Sequence, residues 1–152
     1  MMNRSVLAAL ALAGAAVSLP AAAQFQKPED AVKYRQSSMF VMANHFGRIG
    51  AMVQGRAPYD AATATANAEV VVTMSKLPFI AYLEGTAGSA KGGAAPAIWA
   101  KRAEFDAAAS KMQEEVGKLL AAAKTNNLDN VKAAFGDVGK ACMACHDNFR
   151  NQ

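Results

Sequence analysis

The chain has only two cysteines, Cys142 and Cys145, and His146 follows the second directly. On a helix, residues three apart share a face, so the two thiols would face one partner. The imidazole comes one turn beyond Cys142. This is the pattern by which haem c is attached: each thiol adds to a vinyl group as a thioether, and the histidine ligates the iron. Two other chemistries use the same residue types. A CxxC pair serves thiol–disulfide oxidoreductases, usually at a helix start in a βαβ setting. Zinc would need a fourth ligand beside these three, and His45 is the one other histidine. Only six residues follow His146, so a second axial ligand to an iron must come from upstream.

The elements that would position these groups are helical. Alanine is abundant and β-branched residues are sparse, which favours helix. Pro28 with Glu29 and Asp30 marks a helix start, and that helix runs to about Val53, before Gly55 and Pro58. Asp60 caps a second helix through about Tyr82, bent or shortened near Pro78. Glu84 to Ala95 is rich in Gly, Ala and Ser and reads as a flexible connection. Pro96 opens a third helix to about Lys124, and Asn127 caps a fourth that reaches about Phe149.

Leu128, Val131, Phe135, Val138, Cys142, Cys145 and Phe149 are spaced 3, 4, 3, 4, 3 and 4 apart, one stripe down one helix face. Val32, Met39, Met42, Phe46, Ile49 and Val53 repeat the spacing in the first helix, with Arg35 as a polar occupant. Ile98, Phe105, Met112, Val116 and Leu119 do so in the third. Short links make the first and second helices antiparallel, and likewise the third and fourth. The fold class expected is all-α, an up-down-up-down antiparallel four-helix bundle over residues 24–152.

Residues 1–23 have the layout of a cleaved signal peptide: Arg4, an apolar run from Val6 to Val17, Pro20, then Ala21-Ala22-Ala23. Export to the periplasm, cleavage after Ala23 and no stable membrane insertion are the expectations. The net charge of +4 is spread without basic clusters, so no nucleic-acid partner is expected.

Further sequence marks extend over the expected mature chain. They include Pro28-Glu29-Asp30, Tyr34-Arg35-Gln36-Ser37, Ala57-Pro58-Tyr59-Asp60, Pro96-Ala97-Ile98-Trp99, and Ala133 through Arg150 around the cysteines. With a CxxCH close to the C-terminus, the chain resembles the class II cytochromes c, the cytochrome c-prime family, whose fold is an up-down bundle. The resemblance implies one covalently attached haem c per chain and a homodimer formed through the first two helices.

It also implies roles for single residues. Met39 falls where the family either ligates the iron's second face or closes it with an apolar side chain. A thioether is a sound iron ligand, and a methionine on an apolar stripe is also ordinary packing. Arg35 and Gln36 would contact the haem. Arg35 occupies a stripe position, so it needs an acidic partner such as a haem propionate, or else it snorkels at the bundle end. Tyr82 matches an aromatic of the distal face. Arg150 would lie beside the His146 imidazole, or simply be solvated at the helix end. Phe79 and Trp99 would line the bundle or the haem, and Gly139 would let the haem approach closely. Ala43, Gly47 and Ala51 suit close packing of another helix, and His45 reads as a surface residue.

The function expected is electron transfer, nitric oxide binding or both, with redox proteins as partners and nitric oxide or carbon monoxide as ligands. Five-coordinate, high-spin iron is favoured. A low-spin carrier with His146 and Met39 as axial ligands is the alternative, and a CxxC oxidoreductase is the reading from another class. No catalytic constellation stands out, so the chain is not expected to be an enzyme.

Overall fold

The structure, a computed structural model, describes residues 24–152. The expected signal peptide lies outside the described residues. Helix α1 spans Pro28–Val53. Pro28 takes the first turn, where its missing N–H costs nothing, and Glu29 and Asp30 face the positive end of the helix dipole. Gly55, at φ +71°, ends the segment in a left-handed turn open to glycine. Helix α2 spans Ala61–Met74, with the Asp60 carboxylate accepting the Thr63 amide at 2.6 Å.

Of the two readings at Pro78, bent or shortened, the structure has the second. Helix α2 stops at Met74, and Pro78–Ala81 forms a separate 3-10 turn. Pro78 has no N–H to offer the Met74 carbonyl, and its ring crowds that carbonyl, so the helix fails four residues ahead of the proline. Tyr82 therefore lies beyond the 3-10 turn rather than inside a helix. The third helix is also divided. A single turn, α3 (Ala97–Ala100), is separated from α4 (Arg102–Ala123) by Lys101, at φ −129° and ψ 47°. No glycine or proline marks the break. Tertiary packing overrides propensity here, because Ile98 and Phe105 both bury against Phe149 in one small cluster. Helix α5, Leu128–Phe149, begins where expected, with the Asn127 side chain accepting the amides of Asp129 and Asn130.

Helices α1, α2, α4 and α5 form the four-helix bundle: α1 packs on α2 and α5, and α4 packs on the same two. Glu69 of α2 reaches Lys124 of α4, whereas Ser75 accepts a hydrogen bond from Gln113, so the two helices run antiparallel. The main core joins Ile49, Val71, Val116, Leu119, Val131 and Val138 from all four. The expected stripes supply all of these except Val71, on the second helix, where no stripe is read. Members that are only half-buried, such as Met39, Phe46, Cys142 and Cys145, face a cavity between α1 and α5.

His45 is more than a surface residue. Half-buried, it shares a 2.8 Å hydrogen bond with the Asn67 carbonyl oxygen, while the Asn67 amide donates to the Thr63 carbonyl. That orientation makes His45 Nδ1 the donor and ties α1 to α2.

Two glycine substitutions separate tight from open helix surface. A Cβ on Gly50 would lie 2.8 Å from the Phe135 ring, whereas one on the exposed Gly136 meets nothing within 4 Å. Gly50→Ala should destabilise by about 1–3 kcal/mol. Gly136→Ala should stabilise by about 0.5–1 kcal/mol through helix propensity. Chemical denaturation of both variants measures the difference.

Candidate haem site

On α5 the 3-4 stripe carries Cys142, Cys145 and His146 toward the inside of one end of the bundle, where all three are half-buried. They line a cavity of about 590 Å³. That volume falls within the range of roughly 300–1,000 Å³ usual for cofactor-sized ligands. Arg35, Gln36, Met39 and Tyr82 line the same cavity, as does Arg150. All eight residues singled out from the sequence thus meet in one place.

The interior of the cavity is apolar. Phe46, Val71, Met112, Val116 and Phe105 come from three helices, and no aspartate or glutamate joins the lining. Gly139 also lines it, and a Cβ there would meet nothing within 4 Å, so it would project into the cavity. At the mouth stand Phe40 and Met143, two of the most exposed large apolar side chains among the described residues. Phe79 lines the cavity. Trp99 does not, and packs instead in the Ile98–Phe105–Phe149 cluster.

The electrostatics hold the three reactive groups neutral. Burial pushes the Cys142 thiol up, and burial with the neighbouring Cys142 does the same to Cys145. Both are free thiols. A redox-active CxxC needs a lowered thiol pKa, so this environment speaks against the oxidoreductase reading. The His146 imidazole is held below its ordinary value by burial first and by Arg150 second, with Asp147 opposing. A neutral imidazole is the form that ligates a metal. Among the described residues, no cluster of three or more His, Cys, Asp or Glu forms a metal cage, and His45 is engaged with Asn67.

Arg35 is held by the protein itself. It is buried at 4% exposure, so it does not snorkel, and its partners here are not carboxylates. One Nη1 donates to the Ala81 carbonyl at 3.2 Å and to Thr86 Oγ1 at 2.7 Å, and Nη2 donates to the Thr86 carbonyl at 2.5 Å. Its guanidinium also lies 4.7 Å from the centroid of the Tyr82 ring, a cation–π contact. Tyr82 in turn meets the edge of Phe105 at 4.8 Å. Arg35 therefore fastens the segment after the 3-10 turn onto α1.

The Glu84–Ala95 connection is correspondingly not a free loop. Its far half is bound to the C-terminal tail: the Gly92 amide donates to the Asn151 carbonyl, the Asn151 amide to the Gly93 carbonyl, and the Ala95 amide to the Phe149 carbonyl. Thr86, Gly92 and Asn151 were not singled out from the sequence. Their roles rest on bonds between segments distant along the chain, and no local pattern announces such bonds.

Comparison with known proteins agrees with this geometry. The family model described as Cytochrome C' matches residues 30–150. Cytochrome c' of Alcaligenes xylosoxydans xylosoxydans is 52% identical over 129 residues, covering 85% of this chain and 99% of that protein. The crystal structure of cytochrome c' from Rubrivivax gelatinosus has a TM-score of 0.79 at 50% identity, covering 84% of this chain and all of that one. A nitric oxide complex of a cytochrome c prime variant from Alcaligenes xylosoxidans superimposes with the same TM-score at 51% identity, covering 85% of this chain and 99% of that one. The chain belongs to the cytochrome c' family. The cofactor of that family is haem c, bound covalently.

The residues present fit that group: two neutral thiols and a neutral imidazole on one helix face, an apolar interior, and a glycine where a side chain would intrude. The Arg35 clamp has its own test. Thr86 Oγ1 both accepts from Arg35 and donates to the Leu83 carbonyl at 2.6 Å. Thr86→Val should cost about 1–2 kcal/mol of stability by leaving buried donors and acceptors unmatched. In a double-mutant cycle with Arg35→Ala, the coupling should exceed about 0.5 kcal/mol by chemical denaturation.

Proposed function

We propose that this chain is a periplasmic, non-enzymatic haem protein that transfers electrons and binds nitric oxide, working as a homodimer. The observation that carries the reading is the largely apolar cavity shared by Cys142, Cys145 and His146 on one helix and Met39 on another. Cys142 and Cys145 would hold the haem by thioether bonds, and His146 would be the axial ligand. The group so held supplies a one-electron redox centre and a metal face for diatomic ligands.

The chain's own residues set the terms of that chemistry. The two thiols would anchor the group, and the neutral His146 imidazole, one turn beyond Cys142, would be at hand to ligate its iron. Apart from Arg35, Gln36 and Tyr82, the side chains around Met39, among them Phe46, Val71 and Phe105, are apolar and would offer no hydrogen-bond donor to a bound gas. Such a face favours nitric oxide and carbon monoxide over dioxygen, which needs a polar partner. A related protein has been seen with carbon monoxide, in a variant of cytochrome c prime from Alcaligenes xylosoxidans, and another with nitric oxide. Phe40 and Met143, exposed at the cavity mouth, would leave the ring edge accessible to a redox partner. Arg35 and Gln36 would meet the carboxylate side of the group, and Arg150 the imidazole side.

Leader removal after Ala23 and dimerisation through α1 and α2 complete the proposal. Ala43 and Gly47 are exposed on α1, where they would admit a helix from a second copy. No helix among the described residues is long and apolar enough to cross a membrane.

We favour five-coordinate iron with Met39 as part of the wall. Met39 also lines the cavity in a position from which ligation is the second reading.

Two measurements test the proposal. Denaturing mass spectrometry of protein exported from a host competent in haem attachment should show one haem added to a chain beginning at Gln24. Absence of that mass would overturn the assignment. The ferric wild type should give high-spin optical and paramagnetic-resonance spectra, unchanged in spin by Met39→Leu. A low-spin wild type that turns high-spin on this substitution would establish Met39 as the ligand instead.

A further inference from the structure

Methionine is an apolar side chain, and this bundle keeps nearly all of its methionines out of water. Met42, Met52 and Met112 are 9%, 5% and 4% exposed, and Met39 and Met74 are half-buried. Met143 is 57% exposed, the one exposed methionine among the described residues. Its place on α5 explains this. Cys142 and Cys145 belong to the inward stripe, and the residue after Cys142 is turned about 100° from it around the helix. Packing therefore does not call for a thioether at this position.

Exposure coincides here with location. Met143 lines the large cavity at its mouth, as Phe40 of α1 does, and it also borders a smaller cavity of about 160 Å³. Lys91 and Arg150 line that smaller cavity too. Met143 stands between the two thiols that would anchor the haem, so its sulfur is at the edge of the redox group and in solvent at once. A thioether is polarisable, apolar surface and only a weak hydrogen-bond acceptor. A sulfoxide is polar, and Lys91 and Arg150 would offer its oxygen donors from the same wall.

We propose that Met143 is a reversible oxidation site through which peroxide retunes the haem held at Cys142 and Cys145. This rests on the haem-binding reading above. In the reaction the lone pair of the Met143 sulfur attacks one oxygen of hydrogen peroxide. The S–O bond forms as the O–O bond breaks, and the sulfur loses two electrons. The second oxygen leaves as water, taking the proton of the first. Methionine sulfoxide reductases return the thioether, which makes the change reversible. The consequence follows from charge. A haem iron carries one more positive charge when oxidised, and a more polar, wetter edge favours that state. Oxidation of Met143 therefore lowers the reduction potential of the bound group. Met42 and Met112, buried in the core, offer peroxide no comparable access.

The test uses the haem-loaded protein treated with hydrogen peroxide. Digestion and mass spectrometry of the peptides should show sulfoxide at Met143 forming at least fivefold faster than at Met39, Met42 or Met112. The potential is then read from equilibrium with a redox dye. At a fixed dye ratio, oxidation should raise the ratio of oxidised to reduced protein at least threefold, and reductases for both sulfoxide epimers should restore it. Met143→Leu keeps an apolar side chain at the exposed position and should show no such shift after the same treatment. Sulfoxide that appears first at Met39 or at a buried methionine overturns the proposal. So does a Met143 sulfoxide that leaves the ratio short of threefold, or an equal shift in Met143→Leu. A wild type that carries no covalent haem would overturn the haem reading itself and the retuning with it, a result that peptide mapping separates from a failure of Met143 to oxidise.

Discussion

A helical bundle must close around a cavity without losing the packing that makes it a bundle. Helices in contact normally lie 8–10 Å apart, and interiors are filled to the density of organic crystals. Here α1 and α5 make close contact at Gly50 and Phe135, where the Phe46 and Phe135 rings stack with centroids 4.2 Å apart. From that point toward Arg35 on α1 and Arg150 just past α5, the same two helices border the cavity. Stability is concentrated where Ile49, Leu119 and Val131 are fully buried. At the site end, hydrogen bonds and aromatic contacts replace the packing the cavity displaces. The Arg35 clamp, the Phe105–Phe149 contact and the hydrogen bonds made by Asn151 all lie there.

This division explains what could be read from sequence. Helix α1, helix α5 and their caps follow from local rules: proline in the first turn, Asn127 before a helix, and a 3-4 stripe without interruption. The eight site residues follow from the stripe and from the family pattern. What escaped prediction depends on contacts between distant segments. The break at Lys101 answers to Ile98 and Phe105 burying together. The connection after Tyr82 has the composition of a flexible linker, and is ordered by an arginine far upstream and an asparagine near the end of the chain.

The low-dielectric environment of the site also separates chemistries that share a motif. The same burial that raises both thiols and lowers His146 removes charge from all three groups. A thiol–disulfide exchanger needs the opposite, a thiolate kept at the surface by nearby positive charge. Arg150 lines the same cavity, yet its guanidinium lies on Gly92 and it lowers His146 rather than the thiols. Neutral thiols and a neutral imidazole are suited to bonds with carbon and iron, and those bonds need no charge at the protein atoms beforehand.

Arg35 has partners that its stripe position alone does not announce. A buried cation on an apolar stripe requires acceptors, and a carboxylate is the obvious one. The acceptors found are the Ala81 carbonyl, the Thr86 hydroxyl and the Thr86 carbonyl. These three bonds use three of the five N–H groups of a guanidinium, leaving two. The side chain lines the cavity, so the remaining donors suit a carboxylate of the bound cofactor without giving up the clamp. One arginine would then serve two ends. It fastens the segment that borders the cavity, and it neutralises the acidic edge of what the cavity holds. The charge that is costly to bury in the protein alone becomes the reason the two parts fit.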